Sequence, residues 1–239
     1  ATPQNSANYE EVVSDREDAS TGAKGTTGAS ITPATKTYTG FTAPATQTVT
    51  IAGDGTTVVD YYYTRTTTTL EIDPNGGTYS GTTPLTKEYG HIETLGTITA
   101  PAGNVVSFET NGGNTISDDN TQTVTFSKWT KASDGSDYTN TTYTFGASNE
   151  KLTAQYTYGT ITLPEPTRAG YDFDGWYENS SLTGTSYAKD ATYTPQASVP
   201  TLYAKWTART DTEYTVRHWK QKVGSPATPQ NSTNYEEVV

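Results

Sequence analysis

The chain has 239 residues, 31% of them hydrophobic, with no Cys, no Met and a formal net charge of −11 at pH 7. That balance excludes the basic footprint that nucleic acid requires, and no apolar run is long enough to insert into a membrane. Without cysteine there is no disulfide or thiol chemistry, and so low a hydrophobic content leaves only thin cores spread over several modules.

Thr makes up roughly a fifth of the residues, far above average usage, and 18 Tyr stand against 5 Phe. Both Thr and Tyr favour strands while their hydroxyls keep exposed faces wet. Taken from the start, Ala1 to Val13 reads ATPQNSANYEEVV, and Ala227 to Val239 returns it as ATPQNSTNYEEVV. A match this close at an offset of 226 marks one turn of a tandem array cut at an arbitrary phase, an arrangement suited to reach or valency. Turn signals follow at Gly53-Asp54-Gly55, Asp73-Pro74-Asn75-Gly76-Gly77, Asn111-Gly112-Gly113 and Asp134-Gly135. Alternating runs between them, Gln47 to Ile51, Thr57 to Tyr63 and Gln122 to Phe126, predict strands and hairpins. No stretch keeps a helical apolar period, so helix is expected to be confined to single turns, with Ser148 to Leu152 the candidate.

A second repeat is internal. Phe126-Ser127-Lys128-Trp129-Thr130 matches Phe173-Asp174-Gly175-Trp176-Tyr177, and Leu152-Thr153-Ala154-Gln155-Tyr156 matches Leu202-Tyr203-Ala204-Lys205-Trp206. Two openings precede them, Leu70 to Ile72 before the first Asn-Gly-Gly and Ser107 to Glu109 before the second. The order opening, opening, closing, closing implies two units that can be intertwined, and leaves their pairing open. Tyr171 and Phe173 share a face by period two; Trp176 breaks the alternation, which predicts a bulge at Gly175 that re-aims the indole. On the partner strand Leu202, Ala204 and Trp206 share a face, and small Ala204 leaves room for Trp176. These aromatics read as the core of a thin sheet before they read as a carbohydrate platform.

The sequence Pro166 to Tyr177 (PTRAGYDFDGWY) with Leu202 to Trp206 (LYAKW) resembles the Listeria-Bacteroides, or internalin-type B, repeat of bacterial surface proteins. Tyr214 to Lys220, taken with Thr26 to Gly28, Tyr38 to Phe41 and Asp54 to Tyr63, resembles a mucin-binding-protein-like module. The first copy departs from the pattern in having Lys128 where the closing motif has Gly175. Composition and pattern predict a mainly β chain with little or no helix, and extended connections between modules predict an elongated rod; the resemblances imply tandem small β-grasp-like modules. They divide it into residues 1–65, a mucin-binding-like module lacking its first strand; 66–157, the first internalin-B-type repeat; 158–207, the second; and 208–239, the start of the next array copy.

Catalysis is not expected. His91 and His218 fall in different modules, no Gly-x-Ser-x-Gly occurs, and Asp172 and Asp174 share an exposed face. Asp118, Asp119, Asp134 and Asp137 are weak metal candidates, because their acidic loops lack the spacing of a calcium hand and serve equally as turn formers; no cofactor is expected. Lys128 is the best candidate for a self-formed Lys-Asn bond, since alternation from Val124 and Phe126 aims it inward unless a bulge intervenes. An exposed lysine beside Trp129 is the preferred reading.

The expected role is a structural stalk or adhesive repeat of a large bacterial cell-surface protein, extracellular and attached to the cell wall through its parent. Host glycan or matrix protein is the alternative partner, contacted through Tyr61, Tyr62 and Tyr63, and neighbouring repeats are expected head to tail. Thr64 to Thr67 and Thr207 to Thr212, rich in β-branched Thr and free of Gly, predict extended connections. Tyr214 to Gln221 predicts a strand whose partner lies in the first 65 residues of a neighbouring copy.

Overall fold

The computed structural model describes residues 4, 7–18, 20–116 and 120–238. It is nearly all β, in small sheets, with one 3-10 turn at Val13–Asp15 among the described residues. The expected turn of helix at Ser148 to Leu152 is instead the entry of a strand, Glu150–Tyr158. Asn149, ahead of that strand, accepts the backbone N–H of Thr69 on its side-chain oxygen at 2.9 Å, which ties the segment to the sheet and leaves no free turn to coil.

The chain divides into two units whose segments alternate: residues 1–102 with 123–159, and 103–122 with 160–239. Strand register settles which opening belongs to which closing. In the first unit Thr67–Asp73 runs parallel to Glu150–Tyr158, with Leu70 opposite Glu150 and Ile72 opposite Leu152. The full sheet has five strands in the order Asp137–Tyr138, Val124–Lys131, Glu150–Tyr158, Thr67–Asp73, Leu85–Glu88. In the second unit Ser107–Glu109 runs parallel to Thr201–Ala208, with Phe108 opposite Leu202. Its sheet has four strands in the order Ser107–Glu109, Thr201–Ala208, Tyr171–Tyr177, Ser186–Tyr187. First opening thus pairs with first closing and second with second, although the second opening lies upstream of the first closing.

Alternation builds each core. Along Thr67–Asp73 the buried positions are Thr68, Leu70 and Ile72, so one face of the strand meets the core and the other meets water. The first core joins these to Trp129, Tyr143, Phe145, Leu152 and Ala154. The second gathers Val106, Leu163, Trp176, Tyr193, Leu202 and Ala204.

The bulge expected at Gly175 is present, and the first copy of the closing motif, where none was expected, carries one as well. Register shifts between Phe173 and Gly175, and in the first unit between Phe126 and Lys128. Trp176 then lies directly across from Ala204, and Trp129 from Ala154. A large ring opposite a methyl group is the pairing that lets an indole lie down in a thin sheet. Gly175 has φ +134°, while Lys128 sustains the same shift without a left-handed backbone, so the bulge itself does not require glycine.

The Asn-Gly-Gly turns are built alike. Asn75 and Gly76 have φ of 46° and 86°, Asn111 and Gly112 of 50° and 87°. The N–H of Gly77 closes on Pro74 O at 2.9 Å and that of Gly113 on Thr110 O at 3.1 Å. Two successive positive φ values inside an i to i+3 bond make the turn for which Asn-Gly is the preferred pair. Each Asn also reaches inward: Asn75 Nδ2 donates to Ala154 O at 3.0 Å and Asn111 Nδ2 to Ala204 O at 2.6 Å. The same alanines that make room for the tryptophans therefore anchor the turns.

The first 65 residues are different. Among the described residues they hold two short pairs, Ser30–Ile31 with Val49–Thr50 and Phe41–Thr42 with Thr64–Arg65, and none of the buried core hydrophobics there precedes Leu70. Thr57 to Tyr63, expected as a strand, forms none. Its tyrosines reach backbone groups of distant loops, and Gln47 Nε2 donates to Asp60 O at 2.7 Å, so side chains occupy the place of a ladder. Thr64 to Thr67 is extended, as its β-branched content predicts, and is absorbed into strand pairing.

Of Tyr214 to Gln221, only His218–Gln221 is a strand. It pairs within its own chain to Tyr235–Val238, which repeats the sequence of Tyr9–Val12.

Candidate functional site

The tyrosine run is the first candidate, and its groups point into the molecule. Tyr61 Oη donates to Pro33 O at 2.6 Å and accepts the N–H of Gln47 at 3.2 Å. Tyr63 Oη accepts the N–H of Lys36 at 2.6 Å, and its ring meets Tyr38 edge-on at 4.7 Å. Tyr62 meets Tyr9 edge-on at 5.1 Å. All three are half-buried. Tyr38 completes the brace by donating to Asp15 Oδ2 at 2.6 Å, a bond that pushes its own hydroxyl pKa up to about 12 and holds the Asp15 carboxyl below the usual range. A segment without an apolar core is thus held by aromatic edges and phenol hydrogen bonds. Sequence reasoning found these residues but missed their partners: those of Tyr61 and Tyr63 sit 14 to 28 positions away and that of Tyr62, Tyr9, lies further still, with no periodicity to betray them.

Lys128 is not aimed inward. The bulge after Phe126 turns it to the surface, where Nζ meets Asp137 Oδ2 at 2.6 Å with both side chains well exposed. Exposed pairs of this kind contribute about 0–1 kcal/mol. Lys128→Gln is therefore expected to shift chemical-denaturation stability by less than about 1 kcal/mol, and intact mass should equal the sequence mass. A mass lower by one ammonia would reveal a covalent bond.

The acidic loops resolve in part. Asp134 Oδ1 accepts the N–H of Ser136 at 2.9 Å, and bonds from the Ser136 hydroxyl and amide hold its carboxyl below the usual range. This is an aspartate capping its own turn. Asp137 is the partner of Lys128. Asp118 and Asp119 lie outside the described residues. Among the described residues no three His, Cys, Asp or Glu side chains converge as a metal site would require. Asp172 and Asp174 are exposed, the latter accepting the Thr207 hydroxyl at 2.7 Å.

One cluster that the sequence did not signal is Glu178 with Tyr187 and Tyr193. Both phenols donate to Glu178 Oε1, at 2.9 and 3.2 Å, and their rings cross at 5.1 Å. Burial raises the pKa of both hydroxyls, and the facing carboxylate raises it further, most for Tyr193. A phenol pKa raised in the folded state stabilises the fold fully below the unfolded value near 10, and that contribution is lost as pH rises through the folded value. A tyrosinate absorbance titration is accordingly expected to show a late component above the ordinary range, coincident with loss of near-ultraviolet dichroism. Tyr193→Phe should remove part of the late component; an unchanged profile would contradict the assignment.

The comparisons fall on the region this geometry describes. A family model for the Listeria-Bacteroides repeat domain matches residues 142–205. The match runs from the strand Thr142–Thr144 through the bulged strand Tyr171–Tyr177 into Thr201–Ala208, and so includes Trp176, Ala204 and the Glu178 cluster. That repeat is a domain of bacterial surface proteins. The mucin-binding-like resemblance of residues 1–65 and 208–239 gains no support from it. No curated protein and no solved structure matches the chain.

Proposed function

We propose that this chain is a spacer repeat of an extracellular bacterial surface protein, a non-catalytic module whose role is to extend an array anchored to the cell wall through the parent protein. The observation that carries the reading is the return of Ala1–Val13 as Ala227–Val239, joined to a matched surface-protein repeat. The disposition of the polar groups supports it. Among the described residues no buried side-chain nitrogen or oxygen lacks a partner, and the tyrosines best suited to bind a ligand are engaged with their own chain. In an array, strength comes from the summed stability of units and from multiplied weak contacts.

The adhesin reading, with host glycan or matrix protein held at Tyr61, Tyr62 and Tyr63, is separated by one experiment. The unit displayed multivalently on beads is applied to a glycan array and to immobilised matrix proteins, where even millimolar monovalent affinity gives signal through avidity. A spacer gives none. Reproducible binding that is lost in Tyr62→Ser overturns the spacer reading in favour of the adhesin.

A further inference from the structure

The sequence Tyr-Glu-Glu-Val occurs twice in this chain, in two settings. As Tyr235–Val238 it is a strand, paired with His218–Gln221 in the register His218 to Val238, Trp219 to Glu237, Lys220 to Glu236 and Gln221 to Tyr235. As Tyr9–Val12 it lies outside any strand, yet its side chains already contact the module that follows: the Tyr9 ring meets Tyr62, and both Glu11 carboxylate oxygens bind Arg16 at 2.7 and 2.6 Å. In a strand, as in the Tyr235–Val238 copy, Tyr9 and Glu11 would share one face by period two; here the Val12 carbonyl accepts the N–H of Asp15 at 2.9 Å, a bond that pairing along this edge would have to replace.

The hairpin supplies the complementary half. Trp219 opposes Glu237, so these two lie on the same face as Gln221 and Tyr235. That face bears an open hollow of about 380 Å³ lined by Trp219, Gln230, Asn231, Ser232 and Tyr235. Trp219 is 42% exposed beside it, and Arg217 Nε lies 3.5 Å from Glu237 Oε1. By the offset of 226, Tyr235 is the Tyr9 of the next copy and Glu237 its Glu11. The ring that stacks on Tyr9 is Tyr62, and the cation that binds Glu11 is Arg16. If both sets of contacts held at once in the array, the hollow would face the Tyr62 ring and the glutamate would have Arg16 and Arg217 as partners.

We propose that this hollow is the socket of an inter-repeat joint: His218–Gln221 of one copy pairs with Tyr9–Val12 of the next, and the Tyr62 ring of that next copy seats against Trp219 of the first. Successive copies are then connected by a docked hairpin rather than by a free linker, with the Glu11 carboxylate shared between Arg217 of the preceding copy and its own Arg16. The partner is a second copy of this chain, following covalently. The proposal rests on the array reading and is independent of whether the array binds a ligand, so binding to a glycan or matrix protein would leave it standing.

The test joins residues 1–226 to a second full copy. Because the chain has no cysteine, one spin label can be placed at Val223→Cys in the first copy and one at Val58→Cys in the second, both positions exposed and outside the hollow. Pulsed dipolar spectroscopy is expected to give a single narrow distance distribution. Trp219→Ala in the first copy, which leaves the second module untouched, should broaden it, as should Tyr62→Ala in the second copy; Tyr62→Phe, which keeps the ring, should not. A broad distribution in the unsubstituted two-copy chain overturns the proposal. So does a narrow one indifferent to Trp219→Ala.

Discussion

Trp176→Ala is expected to be the most destabilising single substitution in the second unit, at about 3–5 kcal/mol. Trp176 is fully buried and meets Phe108 at 4.7 Å and Phe173 at 5.5 Å. Its Nε1 donates to Pro164 O at 2.8 Å, a bond the substitution also removes. The thin sheet cannot close the resulting cavity by shifting Ala204, which lies directly across and is itself fully buried. Against a typical domain stability of about 5–15 kcal/mol, the loss is a large share of the whole. Denaturant titration followed by near-ultraviolet dichroism checks it. The reciprocal change, Ala204→Leu, should cost about 1–3 kcal/mol by overpacking the same contact. Trp219→Ala on the single chain serves as the control: its ring is 42% exposed, and a loss approaching that of Trp176 would mean that the core has been misplaced.

How much of this was legible beforehand depended on whether the decisive contact was local. The bulge before Trp176 was legible because breaking a period of two over four residues has few physical outcomes. The Asn-Gly-Gly turns were legible because only a few residues accept successive positive φ values. What the turns also do, donating from Asn75 and Asn111 to the carbonyls of Ala154 and Ala204, spans 79 and 93 positions and leaves no mark on spacing. The pairing of openings with closings was undetermined for the same reason, since two nearly equivalent strands compete for each closing strand until register decides. Thr57 to Tyr63 was misread because alternating Thr, Val and Tyr signals a strand wherever a partner strand exists. Here the Tyr61 and Tyr63 hydroxyls bond the backbone of Pro33, Lys36 and Gln47, and the Gln47 amide bonds Asp60 O, so side chains make the ties that a ladder would, and all three tyrosines are engaged with their own chain. Ser148 to Leu152, the candidate single turn of helix, enters a strand instead because the bond from Thr69 to Asn149 commits it to the sheet, a contact 80 positions apart that leaves no local mark.

The second large effect is expected at Gly113, where alanine should destabilise the unit by about 1–3 kcal/mol or more through overpacking. A Cβ there would lie 2.7 Å from Cζ2 of Trp206 and 3.1 Å from Thr167 O, and the indole cannot withdraw freely because its Nε1 donates to Thr110 O at 2.8 Å. The turn and the ring thus hold each other: Thr110 begins the turn that closes at Gly113, and Trp206 is bonded to that same residue. Gly77 is placed the same way over Tyr156, whose hydroxyl donates to Pro74 O, so the first unit repeats the device with a phenol in place of an indole. Gly135 supplies the contrast. It has a positive φ of 71° with nothing near its Cβ position, so Gly135→Ala carries backbone strain alone, about 1–2 kcal/mol. Substituting Asn111 separates turn from anchor. Asn111→Gly keeps the left-handed backbone and loses the bond to Ala204 O, so its cost should be about 1–3 kcal/mol from the carbonyl left behind. Asn111→Ala adds the strain of a positive φ and should cost more than Asn111→Gly. Equal stabilities for the two variants would show that the side-chain anchor, and not the backbone conformation, is what the asparagine supplies; parity of Asn111→Gly with the parent chain would show the reverse.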